Sequence, residues 1–144
     1  MGIEDVVLDS SVIVADAAKE RFQYWAKTNI KNSARAHILD LTYYEVVSAL
    51  NTYYRRNLMD TREYTETIQK TLDFLDNCQH HEYFEALDSA IKIGLETGVP
   101  IYDSAYIALA KKLGCKLLTV DFALYNKLSK YPGIQKTLIV PSNN

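Results

Sequence analysis

Four of the eighteen acidic residues in this 144-residue chain stand in settings that suit chemistry. Asp9 and Asp121 share one pattern: an apolar run of strand type, the carboxylate at its end, then a helix start. In open α/β sheets ligands bind in the crevice outside the carboxyl ends of strands, so both residues would point there. An Asp at a helix start is also a good N-cap, worth about 1 kcal/mol, and that plainer role stays open for each. Asp103 has Tyr106, Ile107 and Ala110 three, four and seven residues on, so it aligns with an apolar stripe and heads inward. An unpaired buried charge costs several kcal/mol, so Asp103 needs a backbone N–H to cap, a basic side chain or a metal. Glu45 lies off its helix's apolar face, in line with Thr42, Ser48, Ala49, Thr52 and Arg56. That small, polar stripe suits a solvated face or a substrate groove, and Arg55 or Arg56 at its far end could meet a phosphate.

The elements that must position these residues follow from periodicity. Val6-Val7-Leu8 reads as a strand and Asp9-Ser10-Ser11 as a helix entry, with the helix running on towards Phe22 and Trp25. Lys27 to Arg35 is polar and reads as a loop or frayed end. His37 to Leu41 reads as a second strand, and Thr42 opens a helix carrying Tyr43, Val46, Val47, Leu50 and Tyr54. After a break over Asn57 to Thr61, Tyr64, Ile68, Leu72 and Leu75 mark a helix from about Arg62 to Asn77. Gln79 to Tyr83 is ambiguous, with room for a short strand. A helix with Phe84, Leu87, Ile91 and Leu95 closes at Gly98 before Pro100, and another spans Ile101 to Leu113 before Gly114. Lys116 to Val120 reads as a strand, Phe122 to Ser129 as a short helix and Thr137 to Val140 as a last strand. The alternation indicates one α/β domain with a mainly parallel sheet.

Composition narrows the field further. Apolar residues make up 48% and charged residues 24%, which argues against disorder. No stretch approaches the roughly 20 apolar residues that cross a bilayer, and the N-terminus lacks the pattern of a secretory signal, so the expected location is the cytoplasm. Cys78 and Cys115 have no CxxC spacing and read as two reduced thiols. A net charge of −2 argues against coating nucleic acid by bulk electrostatics, though not against an enzyme whose site takes up divalent cations. Most of the eleven tyrosines read as amphipathic residues at the core edge, some as interface candidates.

Four segments together resemble the blocks of a known family: Val6-Val7-Leu8-Asp9-Ser10-Ser11, Leu41-Thr42-Tyr43-Tyr44-Glu45-Val46-Val47, Ile101 to Ala110 around Asp103, and Leu117-Leu118-Thr119-Val120-Asp121. Their order and separations are similar to those of PIN domains, most of all the small VapC-type toxin ribonucleases of toxin–antitoxin pairs. The resemblance implies a three-layer α/β fold with a mainly parallel central sheet flanked by helices. It also implies an RNA substrate, and Asp9, Glu45, Asp103 and Asp121 as an acidic quartet holding Mg²⁺ or Mn²⁺. Ser10 or Ser11 would steady the first Asp, and Ser104, where such sequences usually have Ala, would add a hydroxyl close to the metal. A small VapB-type antitoxin and a homodimer are implied partners. Mg²⁺ and Mn²⁺ prefer oxygen ligands, and a bound ion relieves the repulsion of converging carboxylates while activating a phosphodiester and a water.

Other readings are weaker. Adjacent His80 and His81 cannot both face one ion from a regular element, so they read as surface or strand-edge residues. An aspartyl-nucleophile phosphatase would want a second acid two residues after Asp9, where Ser11 stands. A PIN-like binding module without catalysis is the alternative from another class, and all four acidic positions being filled argues against it.

Overall fold

The computed structural model describes residues 4–142. Its elements in chain order are β1 (Val6–Leu8), α1 (Ser10–Ala17), α2 (Gln23–Asn32), β2 (Ala36–Leu39), α3 (Asp40–Arg55), α4 (Thr61–Asp76), β3 (Gln79–His81), α5 (Leu87–Thr97), α6 (Ile101–Leu113), β4 (Lys116–Leu118), α7 (Phe122–Lys127), α8 (Pro132–Gln135) and β5 (Leu138–Ile139). The strands form one five-stranded sheet in the order β3-β2-β1-β4-β5, and every described pairing is parallel.

Side-chain alternation along the short strands sends neighbours to opposite faces. Val7, Leu39, Leu117 and Leu138 pack with Ala90 and Ile93 of α5, Ile107 and Leu109 of α6, Leu124 of α7 and Ile134 of α8. Val6, Leu8, Ile38 and Leu118 face the other way, onto Val12 and Ile13 of α1, Ala26 of α2, Val46 and Leu50 of α3 and Leu75 of α4. The result is the expected three-layer α/β arrangement. Gly98 (φ +78°) and Gly114 (φ +67°) close α5 and α6 in the left-handed region, where a side chain is strained.

Two stretches depart from the expectation. The first helix ends at Ala17, and Lys19 takes φ +54° to turn the chain into α2. That second helix occupies much of the Lys27–Arg35 segment read as a loop. Its buried side is narrow: Ala26 is fully enclosed, with Trp25 and Ile30 partly so, while Lys27, Lys31 and Asn32 face outward. The short helix α8, entered through Pro132, was also not anticipated. Elsewhere boundaries move by a few residues, and the ambiguous Gln79–Tyr83 segment supplies β3 at the sheet edge before a single 3₁₀ turn over Tyr83–Glu85.

Several tyrosines work where a core meets water. Tyr43 on α3 donates to Asp76 on α4 at 2.6 Å, Tyr64 on α4 donates to Asn51, and Tyr53 donates to Glu20. Both cysteines are free thiols, and burial raises the Cys78 pKa to about 11.

Candidate active site

Strand order places a switch point between β1 and β4, because the chain leaves β1 towards β2 on one side and later crosses back to set β4 on the other. Ligand crevices in parallel sheets form at such points, beyond the carboxyl ends of the strands. Asp9 follows β1 there, its backbone N–H donating to the Leu118 carbonyl at 3.0 Å.

Asp9 is 5% exposed and does not cap α1 with its side chain. Its Oδ2 instead accepts from Ser11 Oγ and from Thr119 Oγ1, both at 2.7 Å. The two hydroxyls also lie 3.2 Å apart. Ser11 rather than Ser10 is therefore the hydroxyl beside the first Asp. Ser11 Oγ accepts from the Val120 N–H at 3.2 Å, and Thr119 Oγ1 from the Asp121 N–H at 3.0 Å. Burial pushes the Asp9 carboxyl up, the Thr119 and Ser11 donors pull it down, and Glu45 and Asp121 add repulsion.

Asp103 sits half-buried in the first turn of α6, and its side chain accepts no hydrogen bond among the described residues. Burial raises its pKa from 3.8 to about 6, helped by the charges of Asp9, Asp121 and Glu45 and opposed by Lys127 on α7. All four candidate carboxylates thus share one electrostatic neighbourhood. The flanking pair each have an oxygen engaged. Asp121 Oδ1 caps α7 by accepting from the Leu124 N–H at 2.9 Å, and Glu45 Oε1 accepts from the Tyr106 hydroxyl at 2.6 Å. Tyr106 is 1% exposed, and burial, then Glu45, hold its phenol far above the usual pKa.

Among the described residues no three His, Cys, Asp or Glu side chains converge closely enough to clasp an ion as they stand. Mutual repulsion favours a spread arrangement of carboxylates. The donor set nevertheless fits a hard divalent cation. It is all oxygen, and both oxygens of Asp103, Asp9 Oδ1, Asp121 Oδ2 and Glu45 Oε2 make no hydrogen bond among the described residues.

Two expectations find less support. Ser104 is fully buried with its hydroxyl unpaired, and a Cβ on Gly94 would lie 3.3 Å from its Oγ. It points into the α5–α6 contact rather than adding a hydroxyl to the acidic site, since adjacent helical residues diverge by roughly 100°. Arg55 and Arg56 are exposed ten and eleven residues beyond Glu45, which is roughly 15 Å along a helix axis. Among the described residues, no hydrogen bond or ion pair draws them to the carboxylates. Thr119, Thr42, Tyr106 and Lys127 were not read as site residues. A Thr in an apolar strand and a Tyr on an apolar helix face resemble ordinary packing residues, and only the strand order brings residue 119 to residue 9.

A family model described as PIN domain matches residues 6–128. The chain belongs to the PIN domain family. This PIN domain is 36% identical over 122 residues to Ribonuclease VapC3 of Pyrobaculum aerophilum, covering 85% of this chain and 93% of that one. Over 135 residues it is 26% identical to Exonuclease VapC9 of the same organism, covering 94% of each. The solved structure of PAE2754 from P. aerophilum matches with a TM-score of 0.64 at 30% identity, covering 88% of this chain and 81% of that one. A toxin–antitoxin complex from Klebsiella pneumoniae matches with a TM-score of 0.69 at 15% identity, covering 96% and 99%, a likeness of fold alone.

Proposed function

We propose that this PIN domain is a Mg²⁺- or Mn²⁺-dependent endoribonuclease, the toxin of a VapBC-type pair, with Asp9, Glu45, Asp103 and Asp121 holding the metal. The observation that carries this is Asp9. It is a nearly enclosed carboxylate at the switch point, clamped through one oxygen by Ser11 and Thr119, with Asp103, Glu45 and Asp121 close enough to repel it or one another. A chain needing only a helix cap would not bury a carboxylate beside three others, because burial disfavours the charged form. The names of the VapC relatives support the reaction class.

The residues divide the work. Asp9 and Asp103 are the direct ligands, Asp9 fixed by its two hydroxyl donors and Asp103 unencumbered. Asp121 and Glu45 flank them, each with one oxygen tethered and one to offer. A divalent ion bound there supplies charge neutralisation at the phosphate and acidifies a bound water. Lys127, whose charge already reaches Asp103, is placed to meet an incoming phosphate, and Arg55 and Arg56 are assigned to more distant RNA. The exposed apolar residues Tyr83, Phe84, Leu87, Ile91 and Leu95 suit a homodimer contact. No helix among the described residues is long and apolar enough to cross a membrane, and we place the protein in the cytoplasm.

Purified protein incubated with total RNA and Mn²⁺, followed by mapping of new 5′ ends, tests the reading. Internal cuts lost in Asp9→Asn and Asp103→Asn support it, whereas equal cleavage by either variant removes that residue from the site. Progressive loss from chain ends alone would assign exonuclease action. A Mn²⁺ titration with neither heat nor thermal stabilisation would favour the non-catalytic binding module.

A further inference from the structure

We infer that Tyr106, relayed through Thr42, is a positioning residue that aims Glu45 at the metal; this rests on the proposed metal-dependent reading. Four groups from three elements form one continuous chain. The Leu39 N–H at the end of β2 donates to Thr42 Oγ1 at 3.1 Å, Thr42 Oγ1 and Tyr106 OH lie 3.0 Å apart, and Tyr106 OH donates to Glu45 Oε1 at 2.6 Å. Thr42 and Tyr106 are both essentially inaccessible to water.

The ends of this chain settle its direction. A backbone N–H can only donate and a carboxylate can only accept. The single Tyr106 proton is therefore committed to Glu45, so Thr42 must donate to the Tyr106 oxygen while accepting from Leu39. Every link then points the same way, from the β2 backbone to Glu45, and in a water-free setting such links reinforce one another. A glutamate side chain left alone samples many rotamers, and ordering it costs conformational entropy. Tyr106 removes that freedom in advance, spends Oε1 and leaves Oε2 as the oxygen that can face a cation.

The placement also links the carboxylates. Tyr106 follows Asp103 by one helical turn, so both project from the same side of α6. Glu45 belongs to α3, yet its oxygen is pinned to a residue one turn from Asp103 and 61 positions away in sequence. The separation of Glu45 from Asp103 is thereby set by α6 itself. Carboxylate-supporting groups of this kind typically change metal affinity by about 10–100-fold when removed.

Tyr106→Phe keeps the ring in the core and deletes the donor. The measurement is Mn²⁺ affinity of the folded protein by calorimetry, alongside kcat and KM on RNA. The expected result is about 10-fold weaker Mn²⁺ binding and a lower kcat with KM little changed. In a double-mutant cycle Tyr106→Phe should add no further loss to Glu45→Ala. Thr42→Val, the middle link, should weaken binding in the same direction but less. Tyr106→Phe that melts earlier yet binds Mn²⁺ as tightly as the parent, with Asp9→Asn having lost binding, would overturn the positioning role and leave the nuclease standing. Undiminished Mn²⁺ binding by Asp9→Asn would instead overturn the metal site on which the inference rests.

Discussion

Replacing Asp103 with Asn should stabilise the metal-free protein, and the size follows from the electrostatics of the cleft. The Asp103 carboxyl titrates near 6 instead of 3.8, so the native state disfavours its charged form. At about 1.4 kcal/mol per pH unit, that displacement caps the penalty at about 3 kcal/mol. Solvent screening at a half-exposed group lowers the figure to about 1–2 kcal/mol. The penalty is absent where the carboxyl is protonated in both folded and unfolded chains, below 3.8. It grows as pH rises towards 6 and is constant above that. Asn, never charged, escapes it. In EDTA at pH 8, Asp103→Asn should therefore melt about 2–8 °C higher than the parent, at about 2–4 °C per kcal/mol for a domain near this size. The gap should shrink towards zero at pH 4. Saturating Mn²⁺ should reverse the order, because only the parent retains the full proposed ligand set. Thermal melts across pH 4–8, with and without Mn²⁺, read all of this. A variant no more stable than the parent at pH 8 in EDTA, or a gain unchanged at pH 4, would refute the repulsion argument.

Four further outcomes are expected. Ser104→Ala removes an unpaired buried hydroxyl and should raise urea stability by about 1 kcal/mol. Gly94→Ala, tight at 3.3 Å against that same oxygen, should be destabilising alone and less so beside Ser104→Ala. Thr119→Val strips one donor from Asp9 and the acceptor from the Asp121 N–H, and should cost about 1–3 kcal/mol at pH 7 by urea titration. Asp5 and Glu85 titrate below their usual range because His37 and His81, respectively, hold them, each at 2.9 Å, and the two rings share a further 2.9 Å contact. Stability from such carboxylates is present above their unfolded pKa and lost as pH falls. Hydrogen-exchange protection factors at Gln79–His81 should thus fall on acidification before those in β1 do.

The main elements were legible because they obey simple periods. Leu50 and Val46 on α3, Ile107 on α6, and the short apolar runs of β1 and β4 declare themselves from spacing alone. Helix α2 did not, because one small residue, Ala26, and two half-covered ones anchor it while its other faces are polar. The four carboxylates were recognisable as an ordered set of local contexts, and the sheet brings them into one neighbourhood. What the local contexts lacked was the hydroxyl layer around them. Ser11 was one of two candidates, and Thr119 and Tyr106 carried only the signature of packing residues, since their roles depend on partners 110 and 61 positions distant. Ser104 was misplaced for the opposite reason: nearness to Asp103 in sequence says little when each helical step turns the side chain by roughly 100°.

The clamp on Asp9 joins the first strand of the sheet to the fourth, across nearly the whole length of the polypeptide. During synthesis Asp9, Glu45 and Asp103 are all made before Thr119, whose hydroxyl completes the clamp on Asp9. The edge of β1 that β4 will occupy is still bare then, and the cleft has only one wall. Until β4 slots in beside β1, Asp9 lacks the Thr119 donor, so a chain cut short before residue 119 cannot close the clamp.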